Sequence, residues 1–135
     1  MLKQEQYQEI VTIVRRLIPN VRVIYLFGSL ITPHARPGSD LDIAILIGVK
    51  PNPEIALALK AELGALVKRD VDIVDIMRAD TVTKAQIVTG SETLYSADAA
   101  YSGFFETDVL SQYALLNEER QGIIDDIIAR GSVHG

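Results

Sequence analysis

The chain of 135 residues has the size of one domain, so we expect a single hydrophobic core and no separate substrate-binding domain. Its 13 basic and 18 acidic residues give a net charge of −5, which argues against direct binding of nucleic acid, whose phosphates require cations. The absence of cysteine excludes disulfides, thiolate metal sites and thiol catalysis. A charged N-terminus and the lack of a long apolar run predict a soluble, cytoplasmic protein with no membrane contact.

The first half of the chain predicts a helix followed by two strands. Apolar residues spaced three and four apart predict an amphipathic helix that ends at Pro19. The run VRVIYLF, Val21 to Phe27, is rich in β-formers and too short for a helix, so it predicts a buried strand. After a loop rich in proline and glycine, DLDIAILI, Asp40 to Ile47, predicts a second strand whose odd-numbered residues form one apolar face.

Alternating elements continue beyond this point. Residues 54–68 are rich in helix formers, and DVDIVDI, residues 70–76, predicts a third strand. A shorter helix over 81–88 leads to ETLYS, a small edge strand. This order predicts an α/β (α+β) fold with a mixed sheet flanked by helices, although the loop lengths leave the strand order open.

Residues 101–129 form one long helical pattern with a broad apolar stripe. The pattern alone favours two alternatives equally: the helix packs on its own sheet, or it packs against a partner protein. Because a helix this long exceeds what a minimal domain can cover, we expect it to contribute to a partner interface. We therefore divide the chain into a catalytic domain, 1–100, and a C-terminal helix with its tail, 101–135, as an extension of that domain.

Two aspartates at the start of the second strand are the first candidate site. Asp40 and Asp42 are two residues apart, so their side chains leave the same face of the strand. An isolated Asp-x-Asp is more often a strand-end pair that caps a loop. Two carboxylates in a strand otherwise built for burial repel each other unless a cation lies between them, and all-oxygen ligands favour Mg²⁺.

The third strand offers a matching acid. Asp72 lies inside the strand, where an unpaired carboxylate is costly, so we assign it to the site in preference to a structural role. Asp70, which follows Lys68 and Arg69 at the strand entry, is interpreted as a solvated end residue. Asp75 points to the opposite face, and Lys68 and Arg69 are interpreted as a solvated helix end.

Gly28 and Ser29 close the first strand and supply the other half of the site. Glycine allows close approach of the backbone to a phosphate, and a short helix beginning here would direct free N–H groups at it. Together with three acids, this turn predicts metal-assisted phosphoryl or nucleotidyl transfer. His34, Arg36 and Ser39 lie in the loop between the motifs, which is expected to face the site. Such residues are more often simply exposed than in contact with a ligand, and of the three we count Ser39 among the nucleotide-binding residues.

Gly-Ser, ten residues, Asp-x-Asp and then VDIVDI about thirty residues later resemble the minimal nucleotidyltransferases of the DNA polymerase β-like superfamily. The resemblance by motif covers residues 21–76. The later segments ADTVTKAQIVTGSETLYSAD and QYALLNEERQGIIDDIIA are similar to the MntA-like antitoxins of HEPN/MNT toxin–antitoxin systems. Ile31 and Pro33 depart from the family pattern, in which a small residue and a glycine follow Gly-Ser; this departure concerns the loop around the triphosphate.

The resemblance implies a set of roles for the matching residues. Gly28 and Ser29 would hold the triphosphate of ATP, Asp40 and Asp42 would bind two Mg²⁺ ions, and Asp72 would complete the shell of the ion that activates the acceptor. It further implies transfer of AMP to a tyrosine hydroxyl of a cognate HEPN-domain RNase toxin (HepT-like), which silences the toxin. Two alternatives stay open: a module that neutralises the toxin by contact alone, and a nucleotidyltransferase that modifies a small molecule.

Overall fold

The computed structural model describes residues 2–28 and 38–131. In chain order its elements are helix α1 (Gln4–Leu17), strands β1 (Val23–Phe27) and β2 (Leu41–Leu46), helix α2 (Pro53–Val67), strand β3 (Val71–Asp75), helix α3 (Thr81–Gly90), strand β4 (Glu92–Ser96) and helix α4 (Ala99–Gly131). The predicted helices and strands within the described ranges are all present, with ends shifted by a few residues, while the short helix expected after Ser29 lies outside the described residues. No helix within the described ranges has the length and apolar character needed to span a bilayer.

The four strands form one mixed sheet in the order β3-β2-β1-β4. Strand β1 pairs antiparallel with both β2 and β4. Strands β2 and β3 pair in parallel, and the segment that connects them contains α2. The predicted mixed sheet is therefore confirmed, and ETLYS is the edge strand that its sequence indicated. Strand β3 occupies the other edge, next to β2, and two strands lie between it and β4.

Each face of the sheet is covered by a different pair of helices. Buried residues of α1 and α2, including Ile10, Val14 and Leu63, pack on one face with the odd-numbered residues of β2. Residues of α3 and α4 pack on the other face with Ala44 and Leu46. The predicted alternation of β2 is thus confirmed, and because Asp42 shares its face with Ala44, that carboxylate lies on the α3/α4 side.

The turn between α2 and β3 brings the third strand back beside the second. Helix α2 begins with a side-chain cap, in which Asn52 Oδ1 accepts a bond from the Glu54 amide at 2.8 Å, and Pro53 follows at the first helical position. It ends at Lys68, whose left-handed backbone (φ 53°) turns the chain and whose amide donates to the Gly64 carbonyl at 2.8 Å. Strand β3 then starts only three residues later.

Helix α4 is anchored along its first half and exposed along its second. Asp98 caps its start, and Ser102 and Val109 are buried against the domain. The buried Tyr25 hydroxyl donates to Glu106 Oε1 at 3.2 Å, which ties the helix to the centre of β1. From residue 117 to residue 130 every side chain is exposed, so the C-terminal half projects from the domain.

Candidate active site

The structure brings Asp40, Asp42 and Asp72 together at one end of the sheet. Asp42 of β2 and Asp72 of β3 are direct partners in the parallel register, where neighbouring strands run about 4.8 Å apart. Partners of this kind project from the same face of a sheet. Asp40 precedes β2 by one residue, on the side that the alternation of the chain shares with Asp42. The three carboxylates therefore belong to one cluster.

The electrostatics of Asp42 reflect both its partial burial and the two other acids of the cluster. The pKa of the Asp42 carboxyl is raised, chiefly because partial burial disfavours the ionised form, and then because Asp72 and Asp40 are negatively charged neighbours. A single charged neighbour would be ordinary. Two acids acting on a third, from two different segments of the chain, make the site an attractive place for a cation.

Gly28 closes the cluster on the side of β1. Phe27, the last residue of β1, is the antiparallel partner of Asp42, so Gly28 turns the chain directly beside that carboxylate. Its backbone is left-handed (φ 84°), and a Cβ added there would collide with Asp42 Oδ2 and lie 2.9 Å from Asp42 Cγ. Only glycine allows the backbone to pass this close, so the approach required at a phosphate-binding turn is present.

Of the remaining residues singled out in and around the motif, only Ser39 lies within the described ranges. Ser29, His34 and Arg36, together with Ile31 and Pro33, lie outside the described residues. Ser39 is described: it is half-buried, and its backbone carbonyl accepts a hydrogen bond from Arg69 Nη1 at 2.9 Å.

The other two acids near the third strand, Asp70 and Asp75, have different surroundings. Asp75 pairs with Arg78 at 2.8 Å, just beyond the end of β3. The Asp70 side chain is exposed, while its carbonyl accepts the Leu41 amide at 2.8 Å.

The two basic residues before the third strand, Lys68 and Arg69, have different environments. Lys68 is exposed, as its position at the end of a helix predicted. The same interpretation of Arg69 is wrong, because its guanidinium is half-buried against the Ser39 carbonyl. Sequence reasoning missed this contact because nothing local indicates that β3 runs parallel to β2, the pairing that brings the residues before the two strands together.

The acids fit a hard divalent cation by their chemistry. Within the described ranges, no set of three or more histidine, cysteine or acidic side chains already stands in the arrangement of a metal site. Mg²⁺ does not require such a cage, since it commonly uses one or two protein carboxylates and fills its shell with water and substrate phosphates. The raised pKa of Asp42 supports the fit, because a bound cation would offset the like charges that raise it.

Surface grooves distinguish the two edges of the sheet. A groove of about 340 Å³ between α2 and β3 reaches Asp72, and Lys60 and Leu57 form part of its wall. A groove of about 420 Å³ between α1 and β4 lies at the opposite edge, away from the carboxylates. Of these two grooves, only the one at the β3 edge is lined by a member of the cluster, Asp72, and it opens on the α2 side of the sheet.

Comparison with known proteins identifies relatives along most of the chain. The family described as Polymerase beta, Nucleotidyltransferase matches residues 8–100, the segment that contains all three acids and Gly28. The protein adenylyltransferase MntA of Shewanella oneidensis is 34% identical over 128 residues, which cover 95% of this chain and 91% of the relative. The similarity therefore extends beyond the matched family segment into α4.

Solved structures agree with the sequence comparison. A chain in a toxin–antitoxin crystal structure with AMP-PNP is 34% identical, with a TM-score of 0.78, and the match covers 90% of this chain and 98% of that one. A structure of the tri-AMPylated Shewanella oneidensis HEPN toxin in complex with MNT antitoxin contains a chain that is 33% identical, with a TM-score of 0.76, and the match covers 94% and 99%. In these relatives the same fold occurs beside a nucleotide analogue and beside a modified toxin.

Proposed function

The chain belongs to the polymerase β nucleotidyltransferase family, and on that premise we propose that it is an Mg²⁺-dependent protein adenylyltransferase that acts as an antitoxin. It transfers AMP from ATP to a tyrosine hydroxyl of a HEPN-type RNase toxin and thereby neutralises it. The observation that carries this proposal is the cluster of Asp40, Asp42 and Asp72 beside the left-handed Gly28. The relative that is named an adenylyltransferase matches this chain over almost its whole length.

Each residue of the site has a defined role in this reaction. Asp40 and Asp42 would hold two Mg²⁺ ions, and Asp72 would complete the coordination next to the acceptor. When bound, the ions neutralise charge that develops on the attacking and leaving oxygens. Gly28, with Ser29 and Ser39, holds the triphosphate. The tyrosine hydroxyl releases its proton to solvent, its oxygen bonds to the α-phosphorus as the bond from that phosphorus to the β-phosphate oxygen breaks, and pyrophosphate leaves.

The position of Asp72 favours an acceptor on another protein. Asp72 is exposed on an edge strand and borders the open groove between α2 and β3. A side chain carried by a partner's surface can reach such a position, whereas a small acceptor needs a pocket that encloses most of its surface. This geometry supports the protein acceptor over the alternative of a small-molecule substrate.

Helix α4 supplies the surface on which the toxin docks. Four isoleucines of its projecting half are exposed: Ile123, Ile124, Ile127 and Ile128. Acidic residues follow along the same half, including Glu118 and Asp125, and they complement the basic surface that an RNase needs to bind RNA. We therefore retain the division into a catalytic domain, residues 1–100, and a partner-binding extension, residues 101–135, in a hetero-oligomer.

We place the reaction in the cytoplasm, where ATP and an RNase substrate meet. The chain's lack of cysteine is compatible with that reducing compartment. Its net charge of −5 supports contact with the toxin and not with RNA directly.

The decisive experiment incubates the purified protein with Mg²⁺, labelled ATP and the toxin encoded beside it. We expect label on the toxin and loss of its RNase activity, with both effects abolished in the Asp40→Asn/Asp42→Asn variant. Tight binding and inhibition without label would instead establish neutralisation by contact alone. Label on an added small molecule such as an aminoglycoside, with none on the toxin, would establish the third function.

A further inference from the structure

Asp40 is the acid of the cluster that regular structure supports least. Asp42 and Asp72 lie inside β2 and β3, where the ladder of the sheet fixes their backbones. Asp40 precedes β2 and is exposed. Its placement next to Asp42 therefore depends on whatever holds the short segment that leads into β2.

Two hydrogen bonds from one turn hold this segment on both sides of Asp40. Ahead of it, the Ser39 carbonyl accepts a bond from Arg69 Nη1 at 2.9 Å. Behind it, the Leu41 amide donates to the Asp70 carbonyl at 2.8 Å. Arg69 and Asp70 are consecutive residues just before β3, so the turn that starts the third strand also clamps the entry to the second.

The Arg69 contact lies next to the parallel pairing of β2 and β3. The register pairs Leu41 with Val71 and Asp42 with Asp72, and the Leu41 amide donates to the Asp70 carbonyl at this end. One residue further out, a charged side-chain donor takes the place of a backbone amide. Hydrogen bonds from charged groups are the stronger kind, and this one is partly shielded from solvent.

We propose that Arg69 is a positioning residue that sets the geometry of Asp40 for metal binding, by clamping the Ser39 carbonyl. The inference rests on the proposed function, since it assumes that Asp40 is a metal ligand. It deepens that function by adding a residue with no ligand atom in the site. Arg69 acts through the backbone on both sides of Asp40, so its loss weakens the assembled site without removing an acid.

Lys68 provides a matched control for charge. It is adjacent to Arg69, carries the same charge and is exposed. Arg69→Met and Lys68→Met therefore remove one positive charge from neighbouring positions, but only Arg69→Met removes the bond to Ser39. Arg69→Lys restores the charge and a single donor, which gives a conservative variant that also serves if Arg69→Met fails to fold.

The first measurements use the protein without nucleotide. Titration with Mn²⁺, followed by electron paramagnetic resonance, reports the affinity of the acids directly, and hydrogen exchange of the metal-free protein reports the Leu41 amide. We expect Arg69→Met to weaken Mn²⁺ binding about tenfold, the lower end of the effect of removing a supporting contact at a metal site. Exchange at Leu41 should accelerate, Arg69→Lys should be intermediate, and Lys68→Met should match the unmodified protein in both.

Labelling of the toxin supplies a second readout. Because all three acids remain in Arg69→Met, excess Mg²⁺ should restore its kcat, so that the defect appears in the Mg²⁺ concentration required. Unchanged Mn²⁺ affinity and Leu41 exchange in folded Arg69→Met would overturn the inference, as would an equal loss in Lys68→Met. The two proposals can also fail separately. If the unmodified protein labels no toxin, but Arg69→Met still weakens Mn²⁺ binding and accelerates exchange of the Leu41 amide, then the proposed function is wrong and the positioning role of Arg69 is supported.

Discussion

Asp42 of β2 and Asp72 of β3 are register partners in adjacent parallel strands, so two carboxylates stand side by side on one face of the sheet. Like charges placed directly opposite each other destabilise a sheet. Under the proposed function, a divalent cation bound between them would relieve this repulsion. The site would then lower the stability of the empty protein and raise its affinity for metal and nucleotide.

Replacing Asp42 with asparagine should separate these two effects. Asp42→Asn removes the charge that Asp72 and Asp40 disfavour, so the metal-free protein should gain roughly 0.5 kcal/mol in unfolding free energy, a modest value because solvent screens a half-buried carboxylate. Transfer of AMP should fall about 10²- to 10³-fold, the loss typical for removal of one group that stabilises transition-state charge. Thermal unfolding in EDTA and labelling of the toxin measure the two. A metal-free variant less stable than the unmodified protein would contradict this account.

The stability difference between Asp42→Asn and the unmodified protein should depend on pH. The folded-state pKa of Asp42 is raised above its ordinary 3.8, so the folded protein binds this proton more tightly than the unfolded chain does. Above the folded pKa the ionised group lowers stability in full, and this penalty disappears as pH falls through that pKa. Melting temperatures in EDTA should therefore converge as the pH is lowered from the neutral range toward 3.8, the ordinary pKa of this carboxyl. A gap that stays constant over this range would assign the stabilisation to packing.

Gly28 should not tolerate a side chain. In Gly28→Ala the new Cβ meets the Asp42 carboxylate, and the left-handed backbone adds a cost of about 1 to 2 kcal/mol. Displacement of Asp42 should reduce AMP transfer by roughly a hundredfold, as small misplacements of reacting groups do. Gly48→Ala is the control, since a Cβ there meets no atom within 4 Å. Urea unfolding and toxin labelling of both variants test this, and equal behaviour of the two would refute a steric requirement at Gly28.

The exposed isoleucines of α4 should matter for binding and not for folding. Ile123 is 60% exposed and Ile127 59%, so replacing both with serine should change the unfolding free energy by no more than about 0.5 kcal/mol per site. Affinity for the toxin should fall at least tenfold if these side chains lie in the docking surface, since each apolar anchor contributes about 1 kcal/mol or more. Calorimetric titration with the toxin measures this. The control is Gly122→Ser, at a position on the side of the helix opposite the four isoleucines where a Cβ meets no atom within 4 Å, and an equal loss in both variants would exclude a specific apolar contact.

The Tyr25–Glu106 bond should hold α4 to the sheet. Burial and the Glu106 carboxylate both raise the pKa of the Tyr25 phenol, so Tyr25 remains a protonated donor over the working range of pH. Tyr25→Phe should cost about 1 to 2 kcal/mol, because it leaves a partly buried carboxylate without its donor. A double-mutant cycle with Glu106→Ala, followed by chemical unfolding, isolates the pair; additive effects of the two changes would show that no coupling exists.

Local patterns predicted the elements because each depends on residues close in the chain. The period-two alternation of β2 indicated that Asp42 lies on the face opposite Ile43 and Ile45, and both cores bear this out. Helix α4 was anticipated, but its division into an anchored and a projecting half follows from contacts with Tyr25 and Ser96 that no local pattern encodes. The solvated end predicted for Arg69 was wrong for the same reason.

The amino-acid sequence alone determined which residues can do the chemistry: the acids, the glycine turn and their spacing, since side-chain identity and strand alternation are local properties. The tertiary structure alone decided how they meet. Parallel register sets Asp42 against Asp72, antiparallel pairing of β1 brings Gly28 to Asp42, and Arg69 reaches the carbonyl before Asp40. Strand order and register depend on how helices distant in the chain bury both faces of the sheet. They therefore cannot be predicted from a short segment of the sequence.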